Sequence, residues 1–147
     1  MKSKVLVAED DPGDYFLLQR AFTAAQVPAE LYVVRDGQEA IDYLSGAASY
    51  SDRKTHPLPD LMLLDLKMPK LNGFDVLSWI RQQPGLKRLP ITVLTSSDQP
   101  QDINRAYDLG ANSYLLKPHG SQELSDLVDR VQRYWLELNQ CPLELVA

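Results

Sequence analysis

Five short apolar runs recur along the chain: Val5–Ala8, Leu31–Val34, Leu61–Leu64, Ile91–Leu94 and Ser113–Leu116. The first, third and fourth are continuous rather than alternating, the pattern of strands covered on both faces, as in a parallel sheet. Segments with helical spacing lie between them: Phe16, Leu17 and Ala21 to Ala24; Ala40, Ile41 and Leu44; Phe74, Leu77, Trp79 and Ile80; Ile103, Ala106 and Tyr107. A last set, Leu124, Leu127, Val128, Val131, Trp135 and Leu138, forms one apolar stripe on a fifth helix. Strict alternation of strand and helix predicts right-handed crossovers and an α/β fold. The expected architecture is a single doubly wound (βα)5 domain, a five-stranded parallel sheet with helices on both faces.

At 147 residues the chain has the length of one domain. The reading is a single domain over 1–147, with its core at about 4–138 and a C-terminal extension at 139–147. The net charge is −5 and no element carries a cluster of Lys or Arg, so no nucleic-acid partner is expected. The single Cys141 makes no internal disulfide, and the N-terminus enters a strand without a signal peptide, which places the protein in the cytoplasm. No apolar run approaches the ~20 residues that span a bilayer, so no membrane role is expected. The stretch 45–59, "SGAASYSDRKTHPLP", reads as a surface loop longer than most connections.

In doubly wound sheets, ligands bind at the C-terminal ends of the strands. Glu9, Asp10 and Asp11 follow the first apolar run, Asp65 the third, Thr95 and Ser96 the fourth, and Lys117-Pro118 the fifth. Two carboxylates about 5 Å apart repel by roughly 3 kcal/mol at an effective dielectric of 20. Charges gathered there need neutralising, and Glu9, Asp10 and Asp65 are balanced by Lys117 together with one divalent cation. An all-oxygen donor set with room for water favours Mg²⁺. Asp65 beside Mg²⁺ and a lysine is placed to attack a phosphoryl group, because both cations stabilise charge on its equatorial oxygens. The backbone carbonyl of Lys67 offers a further ligand oxygen, and the Thr95 hydroxyl a donor to the new phosphate.

With "AEDD", "LLDLKMPKLNG", "VLTSS" and "YLLKP" in this order, and with the interval from Thr95 to Lys117, the sequence resembles the receiver domain of two-component response regulators over roughly Lys4 to Leu138. The resemblance implies a flavodoxin-like fold, Glu9 and Asp10 as the acidic pair, and Asp65 as phosphoacceptor. It further implies Thr95 as switch hydroxyl, Tyr114 as switch aromatic, Lys117 as phosphate-binding lysine, and a cis bond before Pro118. The long loop before the third strand, "ANSYLLKP" and "RYWLELNQCPLE" resemble more narrowly the single-domain regulators paired with bacterial and cyanobacterial phytochrome kinases. The implied partners are a sensor histidine kinase of phytochrome type, which docks near the first helix, and a downstream protein that reads the face of the fourth helix, fifth strand and fifth helix.

Plainer roles compete at several positions. Asp11, before Pro12, reads as a helix N-cap, and Asp98 and Asp102 as capping and dipole partners of the fourth helix. Tyr114 is as well explained by packing as by switching. His56 and His119 lack metal-ligand spacing and are expected at the surface, and Cys141 has no activating neighbour. Trp135, Leu138, Leu143 and Val146 either cover an internal groove or form a homodimer contact. Two other functions stay in view. A Mg²⁺-dependent phosphatase of haloacid-dehalogenase type needs a second aspartate two residues after the nucleophile, where this chain has Lys67. A phosphorylation-independent interaction module would lack part of the machinery, and none of it is missing. The expected class is therefore a switch, not an enzyme.

Overall fold

The structure, a computed structural model, describes residues 2–142 and Leu145. Strands β1 (Ser3–Ala8), β2 (Ala29–Val34), β3 (Leu61–Leu64), β4 (Ile91–Thr95) and β5 (Ser113–Leu116) form one parallel sheet in the order β2-β1-β3-β4-β5. Helices α1 (Pro12–Ala24), α2 (Gly37–Ser45), α3 (Gly73–Gln82), α4 (Pro100–Asp108) and α5 (Ser121–Val131) connect and follow them. The flavodoxin-like expectation holds strand by strand.

Pleating divides the core in two. Leu6, Ala8, Met62, Leu64, Ile91 and Val93 project to the side packed by α2, α3 and Ala106 of α4. Val5, Val7, Leu61, Leu63 and Leu94 meet Leu18, Ala21 and Phe22 of α1 and Val128 and Val131 of α5 on the other. All four residues of β3 are buried, which is why its sequence carries no polar alternation. The strand order reverses between β1 and β3, whose C-terminal ends lead into Glu9 and Asp65. A crevice at that point is a property of the topology.

Several expectations need correction. The stretch 45–59 is a loop, as expected, but an ordered one: it contains a 3₁₀ turn (Ala48–Tyr50), and Arg53 donates to the carbonyls of Tyr43 (2.7 Å), Leu44 (2.8 Å) and His56 (3.2 Å). His56 is partly buried rather than at the surface, edge-on to Tyr43 and Tyr50, because the Arg53 clamp folds the segment over those rings. His119 is exposed as expected. The apolar stripe of the last helix does not run in one winding: α5 passes at Gln132 into a π-helical segment (Gln132–Leu138). There, Gln132 bonds Glu137 and the Asn139 amide donates to the Tyr134 carbonyl, both at the i, i+5 spacing of a π-turn. The wider turn leaves Trp135 packed on the core and rotates Leu138 outward to 72% exposure. Leu143 and Val146 lie outside the described residues.

The peptide bond before Pro118 is trans, the lower-energy isomer, and in that form the Lys117 amide continues the sheet ladder to the Thr95 carbonyl at 2.8 Å. Asp98 does not cap α4. Gln99 takes the N-cap position, while Asp102 in the first turn accepts from the Ser97 hydroxyl at 2.6 Å. Asp11 does cap α1, accepting from the amides of Gly13 and Asp14.

Candidate functional site

The nucleophile candidate is built by backbone. The Asp65 amide continues the β1–β3 ladder by donating to the Ala8 carbonyl at 3.1 Å, which carries its side chain to the end of the sheet. Beyond it the chain turns through Met68 and Lys70, the latter in the left-handed region at φ 65°. The loop is then fixed from two sides. Gly73 opens α3, capped reciprocally by Asn72 and Asp75, and its amide donates to the Leu66 carbonyl at 2.9 Å. A Cβ at Gly73 would overlap the Asp65 carbonyl oxygen. A Cβ at Gly37, at the start of α2, would overlap the Leu71 carbonyl oxygen more closely still. Glycine is needed at both places for close approach.

Glu9, Asp10 and Asp65 each bring a carboxylate oxygen to within 4.8 Å of the others, with Glu9 and Asp65 buried and Asp10 exposed. Lys117, at the end of β5, reaches across the sheet edge. Its ammonium donates to Glu9 Oε1 (2.6 Å), Asp65 Oδ2 (2.7 Å) and Asp14 Oδ2 (2.9 Å). An ammonium has three N–H donors, and each has a carboxylate. The other Asp65 oxygen, Oδ1, accepts from the Lys67 amide at 3.3 Å, while the Lys67 side chain points into solvent.

The electrostatics follow from this crowding. Burial drives the Glu9 carboxyl up to about 7, partly offset by its bond to Lys117 and reinforced by the charge of Asp65. Burial alone would pull the Lys117 ammonium down, but its bonds to Asp65, Glu9 and Asp14 more than compensate, so its pKa is raised. More negative charge converges here than one lysine balances. The donor set is all oxygen, with Asp10 open to water, and fits a hard divalent cation such as Mg²⁺ or Mn²⁺.

Thr95 is fully buried at the end of β4, and its hydroxyl lies 3.5 Å from the Ser97 amide. Tyr114 is half-buried on β5, and its hydroxyl donates to the Ser97 carbonyl at 2.8 Å. The tyrosine therefore both packs and grips the loop that begins at Thr95. The structure thus draws Glu9, Asp10, Asp65 and Lys117 into one cluster and joins Thr95 and Tyr114 through Ser97. Two participants escaped sequence reasoning: Asp14 and Ser97. Asp14 had a signal, because a carboxylate in the first turn of a helix that starts at a strand end stands within one turn of that end.

Known proteins resemble this chain over nearly its whole length. A family model described as "Response regulator receiver domain" matches residues 5–129. The response regulator Rcp1 of Synechocystis is 36% identical over 138 residues, which is 94% of this chain and 92% of that protein. The crystal structure of the phosphorylated cyanobacterial phytochrome response regulator RcpA superposes with a TM-score of 0.89 at 37% identity, covering 97% of this chain and 99% of that one. The Mn²⁺-bound form of Rcp1 gives 0.84 at 36% identity, over 95% and 99% of the two chains.

Proposed function

The chain belongs to the response-regulator receiver family and is a phosphorelay signalling protein, and from that premise we propose that Asp65 accepts the phosphoryl group and that the signal leaves as a change of surface. The observation that carries this reading is the meeting of Lys117 with Asp65 at 2.7 Å beside the three-carboxylate cluster. An Asp65 oxygen forms the new O–P bond as the N–P bond of a phosphohistidine breaks; the bonding pair goes to the departing imidazole nitrogen, which takes up a proton from water. Lys117 faces the incoming charge. Glu9, Asp10, Asp65 and the Lys67 carbonyl are the residues that would hold Mg²⁺, which would supply charge neutralisation at the phosphoryl oxygens.

Exchange of one negative charge for about two draws the Thr95 hydroxyl toward the phosphate. Thr95 and Tyr114 share the Ser97 loop, so movement of one is felt by the other. The readout surface is the α4–β5–α5 face, where Tyr107, Leu116 and Tyr134 are exposed. The kinase docks at α1, whose Phe16 and Leu17 stand in solvent, and similarity to the phytochrome response regulator RcpA supports a phytochrome-type kinase. The downstream reader is a separate protein in the cytoplasm. Among the described residues no helix is long and apolar enough to cross a membrane. The receiver occupies the single domain 1–147, with a homodimer formed through its C-terminal end, for which the exposed Leu138 is the support.

Turnover as a phosphatase is disfavoured because Lys67 occupies the place of a general acid. Incubation with beryllofluoride or acetyl phosphate and Mg²⁺ tests the reading. The expected result is stable modification that disappears in Asp65→Asn. Steady phosphate release points instead to the phosphatase, and no response to an inert interaction module.

A further inference from the structure

We propose that Asp14 is a positioning residue for Lys117, an added negative charge that holds the ammonium before phosphorylation and yields it to the phosphoryl group afterwards; this inference rests on the function just proposed. Three carboxylates share the ammonium at 2.6, 2.7 and 2.9 Å, and that of Asp14 is the longest. The three differ in solvation. The Asp14 side chain is 41% exposed, against 7% for Glu9 and 9% for Asp65. A lysine recruited by a new phosphoryl oxygen has to surrender a bond, and water replaces Lys117 at little cost only where water already reaches. Asp14 is the partner that lets go.

Charge gives the same residue a second consequence. Glu9, Asp10 and Asp65 against Lys117 and one divalent cation sum to zero, so Asp14 is the charge in excess. It attracts the cation and repels a phosphoryl donor. Asp14 belongs to the first turn of α1 and is itself held by the Asp11 cap, whose Oδ1 accepts from the Asp14 amide at 3.4 Å. Its place is set by the helix start rather than by Lys117, so the ammonium moves while the carboxylate stays.

The test compares wild type, Asp14→Asn, Asp14→Ala and the charge-conserving Asp14→Glu in two titrations, Mn²⁺ binding and beryllofluoride uptake at saturating Mg²⁺. Removal of one unit charge at this range is expected to weaken Mn²⁺ binding and to tighten beryllofluoride uptake, each by about three- to tenfold at low salt. Both shifts shrink as KCl rises, and Asp14→Glu returns both toward wild type. A residue that only stabilises the start of α1 changes the unfolding midpoint and moves neither titration. Unchanged titrations, or two affinities that shift in the same direction, overturn the inference. Beryllofluoride uptake by wild type that Asp65→Asn abolishes leaves the underlying function intact in that case; absence of uptake by wild type removes both.

Discussion

Gly73 shows how much of this site is held by a missing side chain. A methyl there would overlap the Asp65 carbonyl oxygen and stand 2.7 Å from the Leu66 Cα, and both obstacles are backbone that cannot rotate aside. Gly73→Ala therefore has to lift the start of α3 off the segment that carries Asp65. The expected cost is about 1–3 kcal/mol in urea unfolding, with slower modification by acetyl phosphate than wild type; a variant as stable and as reactive as wild type removes this glycine from the account. At this scale the sequence was legible where chemistry singles out a residue. A lone carboxylate ending an apolar strand is costly unless used, so Asp65 stood out, as did Lys117 before its proline. Asp14 did not, since an acid in the first turn of a helix has an ordinary explanation in the helix dipole. Only the folded distance to Lys117 separates the two roles.

Strands and helices were legible from periodicity, because burial on two faces or one stripe leaves a mark in composition. The stretch 45–59 left none. Its order comes from Arg53, which caps the C-terminal end of α2 by taking the Tyr43 and Leu44 carbonyls while tying in that of His56. One side chain thus satisfies three acceptors that the helix end and the turn would otherwise leave to water. Nothing in a Ser/Ala/Pro-rich string announces such a clamp. The π-helical continuation of α5 was hidden for a related reason, since its winding is set by backbone bonds at i, i+5, such as Asn139 to Tyr134, rather than by apolar spacing. Arg53→Ala is expected to lower stability by about 1–3 kcal/mol, measured by denaturant unfolding. Beryllofluoride uptake should persist at the wild-type midpoint, because the segment leads into the N-terminal edge of the sheet and the carboxylates stand at the opposite one. Loss of uptake in a folded variant contradicts that separation.

For the molecule as a whole, the acidic cluster ties stability to pH and to metal. Burial raises the Glu9 carboxyl from its ordinary value of 4.5 to about 7, so the folded chain binds this proton more tightly than the unfolded one. The contribution of Glu9 to stability is then full below about 4.5 and is lost as pH rises through about 7, since over that window the unfolded state gives up its proton first. A divalent cation reverses the balance by rewarding the ionised carboxylate. Its binding has to displace the proton at pH 6 and not at pH 8, which weakens the apparent affinity by about tenfold at the lower pH. Ligand that binds only the folded state stabilises it in proportion to the logarithm of one plus the ratio of its concentration to its dissociation constant. The rise in thermal midpoint on adding Mg²⁺ is therefore expected to be larger at pH 8 than at pH 6 by about 3–5 °C at a fixed concentration well above the dissociation constant. In Glu9→Gln, which has no proton to displace, the gain should be smaller and equal at the two pH values. Thermal scans of both proteins with and without Mg²⁺ decide it: equal gains at pH 6 and pH 8 in wild type mean that metal binding displaces no proton from Glu9 over this range, which overturns the link between its raised carboxyl and metal affinity.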